Sequence, residues 1–223
     1  QSALQKGRSP MPDPFDYNQI QNYLTTLVPP RTAEMKEMEA YAEEHGFPII
    51  GPAAGQACYQ IARMTGAKNI FELGSGYGYS TAWFARAVRE NGGGRVHHTV
   101  WDRDLSLRAR QHLNRLGYTD LVQYRVGEAV ESLRTTPGTF DLIFNDIDKE
   151  AYPGALPVIK QKLRRGGVLI IDNMLWHARI FDPADQDVST EAIRRFTQSI
   201  TTDPDWIVSL LPIRDGLIVA YKQ

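Results

Sequence analysis

Nine consecutive residues, Glu72-Leu73-Gly74-Ser75-Gly76-Tyr77-Gly78-Tyr79-Ser80, constrain this chain more than any other stretch. A short apolar run at 69–73 leads into them, and a helical pattern at 80–90 follows, with Trp83, Phe84 and Val88 as its apolar residues. Glycines between a strand and a helix let the backbone approach a ligand closely, and the helix start offers free N–H groups to an anion. The spacing is G-x-G-x-G. A dinucleotide turn usually reads G-x-G-x-x-G, so a pyrophosphate fits poorly, and no Gly-Lys-Ser/Thr follows to make a P-loop. A tight turn without a ligand is the alternative. Asp102 argues against it, because it ends the second strand, where an acid can take both hydroxyls of a ribose. The neighbouring Asp104 reads as the N-cap of the next helix.

The rest of the pattern alternates. Strands are expected at 69–73, 95–101, 121–126, 140–145 and 168–172, with helices at 80–90 and 104–116. Such alternation implies a parallel sheet with helices on both faces. The end differs: 206–211 and 217–221 are strands joined by a turn through Asp215-Gly216, which reads as a hairpin. The sheet is therefore expected to be mostly parallel, with one antiparallel strand near its end. Three helices precede the first strand. Tyr17, Ile20, Leu24 and Leu27 share a face, and Pro29-Pro30 stops that helix. Thr32 caps the second, with Met35, Met38 and Ala42 inward and Gly46 as its stop. The third spans 53–65. Residues 1–14 carry three prolines and no period, and read as a flexible tail before a single domain at 15–223.

Composition excludes several classes. Hydrophobic residues make up 42% and charged residues 23%, which rules out a disordered chain. Lys plus Arg is 25 and Asp plus Glu 26, a net charge of -1, which argues against a general nucleic-acid binder. Arg164-Arg165 is no counter-evidence, since Leu163-Arg164-Arg165 reads as a helix end, where cations favour the dipole. The lone Cys58 allows no intramolecular disulfide and no Cys-based zinc site. No two of the five histidines have the i, i+4 spacing of a helical zinc pair. No run approaches the ~18 apolar residues of a membrane span. The first residues lack the apolar core of a signal peptide, so a reducing cytoplasm is the expected compartment.

Further stretches carry a resemblance: Gly66-Ala67-Lys68, the glycine turn, Phe140-Asp141-Leu142-Ile143-Phe144-Asn145-Asp146-Ile147-Asp148-Lys149, Gly166-Gly167 through Ile171-Asp172-Asn173, and Leu210-Leu211-Pro212-Ile213 with Asp215-Gly216-Leu217. From about Gly51 onward the chain resembles the class I S-adenosylmethionine (SAM) methyltransferases. More narrowly, it resembles the cation-dependent O-methyltransferases, the caffeoyl-CoA and catechol group and its bacterial relatives. The glycine turn is shared widely; Asp-x-Asp-Lys paired with a later Asp-Asn is the specific part. The resemblance implies a Rossmann-like, doubly wound, seven-stranded α/β fold with N-terminal cap helices. Glu72, Gly74 and Ser75 would line the methionine and ribose side of SAM, and Ser80 would bind its carboxylate. Asp102 would take the ribose, Glu128 and Ala129 would meet the adenine, and Asp148 is near the cofactor in relatives. Trp176 and His177 would border the acceptor, with Tyr152 a weaker candidate. Relatives are commonly homodimers. Asn145 departs from an apolar position in relatives, and Ile147 from a small one.

Asp146 ends the fourth strand, and Asp172 with Asn173 ends the fifth. In a doubly wound sheet these ends face one crevice. Three oxygen donors without sulfur or imidazole suit a hard divalent cation, Mg²⁺ first, with Mn²⁺ or Ca²⁺ as alternatives. Strand-end residues capping their loops are the bland alternative, although two close carboxylates repel without a cation. Lys149 lies three residues after Asp146; by composition a solvated surface lysine is the bland reading, but the resemblance places it at the family's catalytic position, where a nearby metal and sulfonium would disfavour its proton and suit it as a base toward a phenol. The expectation is a Mg²⁺-dependent transfer of the SAM methyl group to a hydroxyl of a catechol-like small molecule, with Lys149 and Asp146 catalytic and Asp146, Asp172 and Asn173 as metal ligands. The competing expectations are methylation of a hydroxylated uridine in tRNA and a SAM-binding protein without activity.

Overall fold

The computed structural model describes residues 16–223; the tail expected at 1–14 lies outside them. Three helices come first. Helix α1 (Tyr17–Thr26) is capped by Asp16, whose side chain accepts from the Asn18 N–H, and it ends before Pro29-Pro30. Helix α2 (Ala33–His45) begins at Thr32, whose hydroxyl accepts the Met35 N–H at 3.2 Å. It buries Met35, Met38 and Ala42 and stops at Gly46, as expected. Helix α3 is Gly51–Met64.

Alternation then sets in: β1 (Asn69–Leu73), α4 (Tyr79–Glu90), β2 (Arg95–Val100), α5 (Arg103–Arg115), β3 (Val122–Val126), α6 (Ala129–Thr135), β4 (Phe140–Asn145), α7 (Tyr152–Lys162), β5 (Leu163–Ile171), α8 (Val188–Thr202), β6 (Trp206–Leu211) and β7 (Leu217–Lys222). The seven strands form one sheet in the order β3-β2-β1-β4-β5-β7-β6. Neighbours from β3 to β5 are parallel, and β7 runs antiparallel to both β5 and β6. The fold is thus the expected Rossmann-like α/β sheet with one inverted strand. One apolar cluster packs α2, α3, α4 and α5 on one face, and a second packs α6, α7 and α8 on the other. Coverage on both faces is why β1 and β4 are near-continuous apolar runs.

Register positions the site. Leu73 pairs with Asn145, and Asn145 with Ile171. The residues that follow, Gly74, Asp146 and Asp172, therefore leave the sheet at one level, beside the point between β1 and β4 where the strand order reverses. Open α/β sheets bind ligands at such a point.

Three expectations are corrected. Strand β5 starts at Leu163, so Arg164-Arg165 is not a helix end. Arg164 Nε instead donates to Asp141 Oδ1 at 2.6 Å, and Asp141 Oδ2 accepts the Lys68 and Asn69 N–H groups. The cap of α5 is Asp102, not Asp104: Asp102 Oδ1 accepts from the Asp104 and Leu105 N–H groups at 2.7 and 2.9 Å. Helices α6, α7 and α8 lay unread in the sequence. Pro153, Gly154 and Pro157 hide α7 behind breaker residues, whereas Ala192, Ile193, Phe196 and Ile200 of α8 carry a helical period that was available.

The turn after β1 is pressed against β4. A Cβ at Gly74, where φ is +83°, would lie 2.3 Å from the carbonyl oxygen of Asp146. Gly74→Ala is expected to lower the unfolding free energy by about 2 kcal/mol or more, since left-handed backbone costs roughly 1–2 kcal/mol and a backbone carbonyl cannot rotate aside. Urea denaturation measures this; unchanged stability would mean that the turn does not seat on β4.

Candidate active site

The glycine turn is held from below and open above. Ser75 donates its N–H to the Thr99 carbonyl at 2.9 Å, and its hydroxyl accepts the Thr99 N–H at 3.0 Å, so its polar atoms tie the turn to β2. Gly78 (φ +94°) starts α4 without a side-chain cap. The first-turn amides of this 12-residue helix thus keep no intrahelical acceptor. Ser80 sits in that turn, and Gly74, Ser75, Ser80 and Asp146 line one small crevice with Phe47 to Ile50 opposite.

Glu72 is wholly buried under the turn. Thr81 donates to its Oε2 at 2.5 Å, and Oε1 has no hydrogen-bond partner. Burial pushes its carboxyl up to about 7, against the pull of the Ser80, Thr81 and Ser75 hydroxyls. The Thr81 hydroxyl also lies 3.2 Å from His98 Nδ1. Burial and, to a lesser degree, the charge of Arg110 hold the His98 imidazolium down to about 3, so the ring is neutral.

The acids expected to meet the nucleoside have structural duties as well. Asp102 Oδ1 is committed to the α5 cap, leaving Oδ2. Glu128 caps α6 with both oxygens, accepting the Val130 N–H at 2.9 Å and the Glu131 N–H. Ala129 is buried behind it. Asp148 stands exposed before a 3₁₀ turn, Lys149–Ala151, and lines neither this crevice nor the cavity described below.

Charge concentrates where β4 and β5 end. Lys149, nearly buried, donates from Nζ to Asp146 Oδ1 at 2.9 Å and to the Ile147 carbonyl at 3.0 Å. The rings of Tyr152 and Trp176 lie 5.0 and 5.9 Å from the same ammonium. Asp172 is fully buried; Arg214 Nη1 donates to its Oδ2 at 2.7 Å, and Oδ1 has no partner among the described residues. Burial first, then the charge of Asp146, raises the Asp172 carboxyl to about 7, against the pull of Arg214. Asn173 (φ +62°) donates its amide to Asp215 Oδ2 at 3.1 Å. Asp215 also accepts the His177 N–H at 2.6 Å.

Beside this centre opens a mostly apolar cavity of about 620 Å³. Tyr17 and Gln21 of α1, Ile50 to Ala54 at the start of α3, and His177, Arg214 and Asp215 line it. His177 is exposed there. Tyr152 is corrected: it is buried, and its hydroxyl donates to the Asp172 carbonyl at 3.0 Å, supporting the strand end instead of facing the cavity. Trp176 lies in a 3₁₀ segment (Trp176–Phe181) with its ring toward Lys149.

A model of the O-methyltransferase family matches residues 30–223. The chain belongs to that family. A catechol O-methyltransferase of Niastella koreensis is 30% identical over 186 residues, 81% of this chain and 83% of the relative. An O-methyltransferase from Bacillus cereus in complex with S-adenosylhomocysteine superposes with a TM-score of 0.82 at 28% identity, covering 92% of this chain and 97% of that one. The O-methyltransferase TomG from Streptomyces achromogenes, involved in tomaymycin synthesis and in complex with SAM, superposes with a TM-score of 0.82 at 25% identity, covering 93% and 97%.

In this O-methyltransferase, the fold brings together Gly74, Ser75, Ser80 and Asp146 in one crevice, and Asp146, Lys149, Asp172 and Asn173 around one pair of strand ends. Sequence reasoning passed over Thr81, His98, Arg214 and the α1 residues Tyr17 and Gln21. Arg214 left a signal, an arginine beside the Asp215-Gly216 turn; the α1 contacts left none, being about 190 residues away in sequence.

Glu72 generates a pH prediction. Its folded carboxyl protonates near 7 and its unfolded one near 4.5, so the folded state holds the extra proton between those values. The group's contribution is therefore intact below about 4.5 and declines as pH rises to about 7. Without ligand, Glu72→Gln is expected to gain on the parent by about 3 kcal/mol between pH 4.5 and 8. Paired urea titrations across that range check it; parallel curves would show that Glu72 is ionised in the folded state throughout.

Proposed function

We propose that this methyltransferase moves the methyl group of SAM to one hydroxyl of a catechol-type small molecule held against a divalent cation, Mg²⁺ first, with Mn²⁺ or Ca²⁺ as alternatives. The observation that carries the reading is the buried, unpartnered Oδ1 of Asp172, next to a second carboxylate. A buried charged oxygen without a donor is costly, and a cation relieves it. The donors fit. Asp146 has one oxygen on Lys149 and a second beyond it; Asn173 has its amide nitrogen on Asp215 and its oxygen outside that bond. Asp146, Asp172 and Asn173 would thus hold a hard ion through oxygen alone. Such an ion acidifies a hydroxyl and fixes two neighbouring acceptor oxygens.

The chain's own residues supply the rest. The first turn of α4, with Ser80, receives the SAM carboxylate, and Asp102 Oδ2 takes a ribose hydroxyl. Lys149, in its neutral form, would take the proton of the attacking hydroxyl. The acceptor oxygen then displaces the sulfonium in line, giving the methyl ether and S-adenosylhomocysteine, and orientation supplies much of the rate. Trp176 flanks Lys149, and His177 faces the acceptor.

The decisive experiment is methyl transfer from labelled SAM to a catechol panel, matched monophenols and bulk tRNA. About half of the roughly six positions around Mg²⁺ are met by the protein, which leaves two for a vicinal diol. Catechols are expected to react far better than monophenols, tRNA is expected to be inert, and excess chelator is expected to abolish transfer until Mg²⁺ is restored. Equal rates for a catechol and its monohydroxy analogue, or full activity in chelator, would end the reading.

Asp102 is tested by calorimetry with SAM. Asp102→Asn keeps an oxygen for the α5 cap but loses the charge, and should weaken binding by about 1.5–3 kcal/mol. Asp102→Ala should also lose about 1 kcal/mol of stability with the cap. Unchanged SAM affinity in Asp102→Asn would remove it from the site.

A further inference from the structure

Arg214 sits where few side chains are tolerated. Its φ is +52°, in the left-handed region that glycine favours, between Ile213 and Asp215-Gly216 in the β6–β7 turn. The other non-glycine residues with positive φ among the described residues are Asn173, Trp176, His177 and Ala178, in the loop after β5. Strain of this kind persists only where the surroundings enforce it, and it gathers at working sites. Here the enforcement is explicit. Gln21 Oε1 accepts the Arg214 N–H at 2.6 Å, and the Tyr17 hydroxyl donates to its carbonyl. Leu175 N–H donates to the Asp215 carbonyl at 2.8 Å, and Met174 N–H to that of Gly216 at 3.0 Å. The turn is clamped by α1 on one side and by the β5 loop on the other. The result is a guanidinium set on the buried carboxylate of Asp172, Nη1 to Oδ2 at 2.7 Å.

We infer that Arg214 is the resident counter-cation of Asp172 and competes with the divalent ion for it, so that the ion is taken up by exchange against the guanidinium. The inference rests on the reading of Asp146, Asp172 and Asn173 as ligands. Two carboxylates whose charges act on each other call for positive charge in the cleft. Lys149 answers Asp146, and Arg214 answers Asp172. A divalent ion and a guanidinium on one carboxylate repel each other, and a buried site screens that repulsion little. The guanidinium has somewhere to go, since Arg214 lines the acceptor cavity and its side chain is 29% exposed against 1% for Asp172. Metal affinity is therefore set by the arginine as much as by the three oxygen donors.

The test is equilibrium binding of Mn²⁺, followed by the electron paramagnetic resonance of the free ion, with neither SAM nor acceptor present. Arg214→Gly removes the cation and relieves the backbone; Arg214→Gln removes the cation and keeps the strained backbone. Both are expected to bind Mn²⁺ about tenfold tighter than the parent, or more. Arg179→Gln removes a nearby positive charge that pairs with Asp185 and not with Asp172, and is expected to bind as the parent does. Binding by the Arg214 variants alone would support the exchange in its strongest form. If the parent binds Mn²⁺ and cooperatively folded Arg214 variants bind it no tighter, or Arg179→Gln tightens it equally, the exchange is wrong while the cation reading stands. If no chain binds at millimolar Mn²⁺, the cation reading falls and takes the exchange with it.

Discussion

Two carboxylates, one buried and one half-buried, brought to the same end of the sheet by adjacent parallel strands are the constraint on which the site depends. Asp146 and Asp172 leave β4 and β5 at one level because the register of the sheet leaves them no other exit. Their mutual repulsion and loss of water are answered by Lys149 and Arg214, each at hydrogen-bond distance from one carboxylate. The elements that carry these cations are held in turn: Tyr152 under the end of β5, and α1 across the β6–β7 turn. The site is thus a balance of buried charges, and a balance of this kind responds to any added cation.

Economy of acidic residues is a second feature. Asp102 and Glu128 cap the helices that follow β2 and β3, and each stands just past the end of its strand. An N-cap acid is oriented by two backbone N–H groups before any ligand arrives, which pre-organises it. The consequence is that removal of such a residue mixes stability with binding, so that only an isosteric change separates the two.

Helix α1 has no buried residue, yet it lines the apolar cavity and clamps the arginine turn. Its hold combines polar contacts to Pro212 and Arg214 with the half-buried Ile20 and Leu24. Segments held this way open at low free-energy cost. The apolar cavity is accordingly closed on one side by a helix whose attachment runs through the same turn that faces Asp172.

Local pattern was enough for much of the fold. Strands 69–73, 140–145 and 206–211 emerged with the observed bounds, since each is an apolar run between turn or loop residues. The Thr32 cap and the Gly46 stop were legible because capping is a short-range rule. The grouping of Asp146, Asp172 and Asn173 followed from where the strands end, and Lys149 joined it through the family resemblance. The rest depended on partners far along the chain. Asp102 and Asp104 are equivalent caps by composition, and only the point where β2 leaves the sheet selects Asp102. Arg164-Arg165 fits a helix end equally well until β4 places Asp141 beside it. Arg214 meets Asp172 across 42 residues, and α1 meets the same turn across more than 190. Periodicity specifies which residues face a core, but not which strand lies next to which; strand order settled the charge pairs, and with them the character of the site.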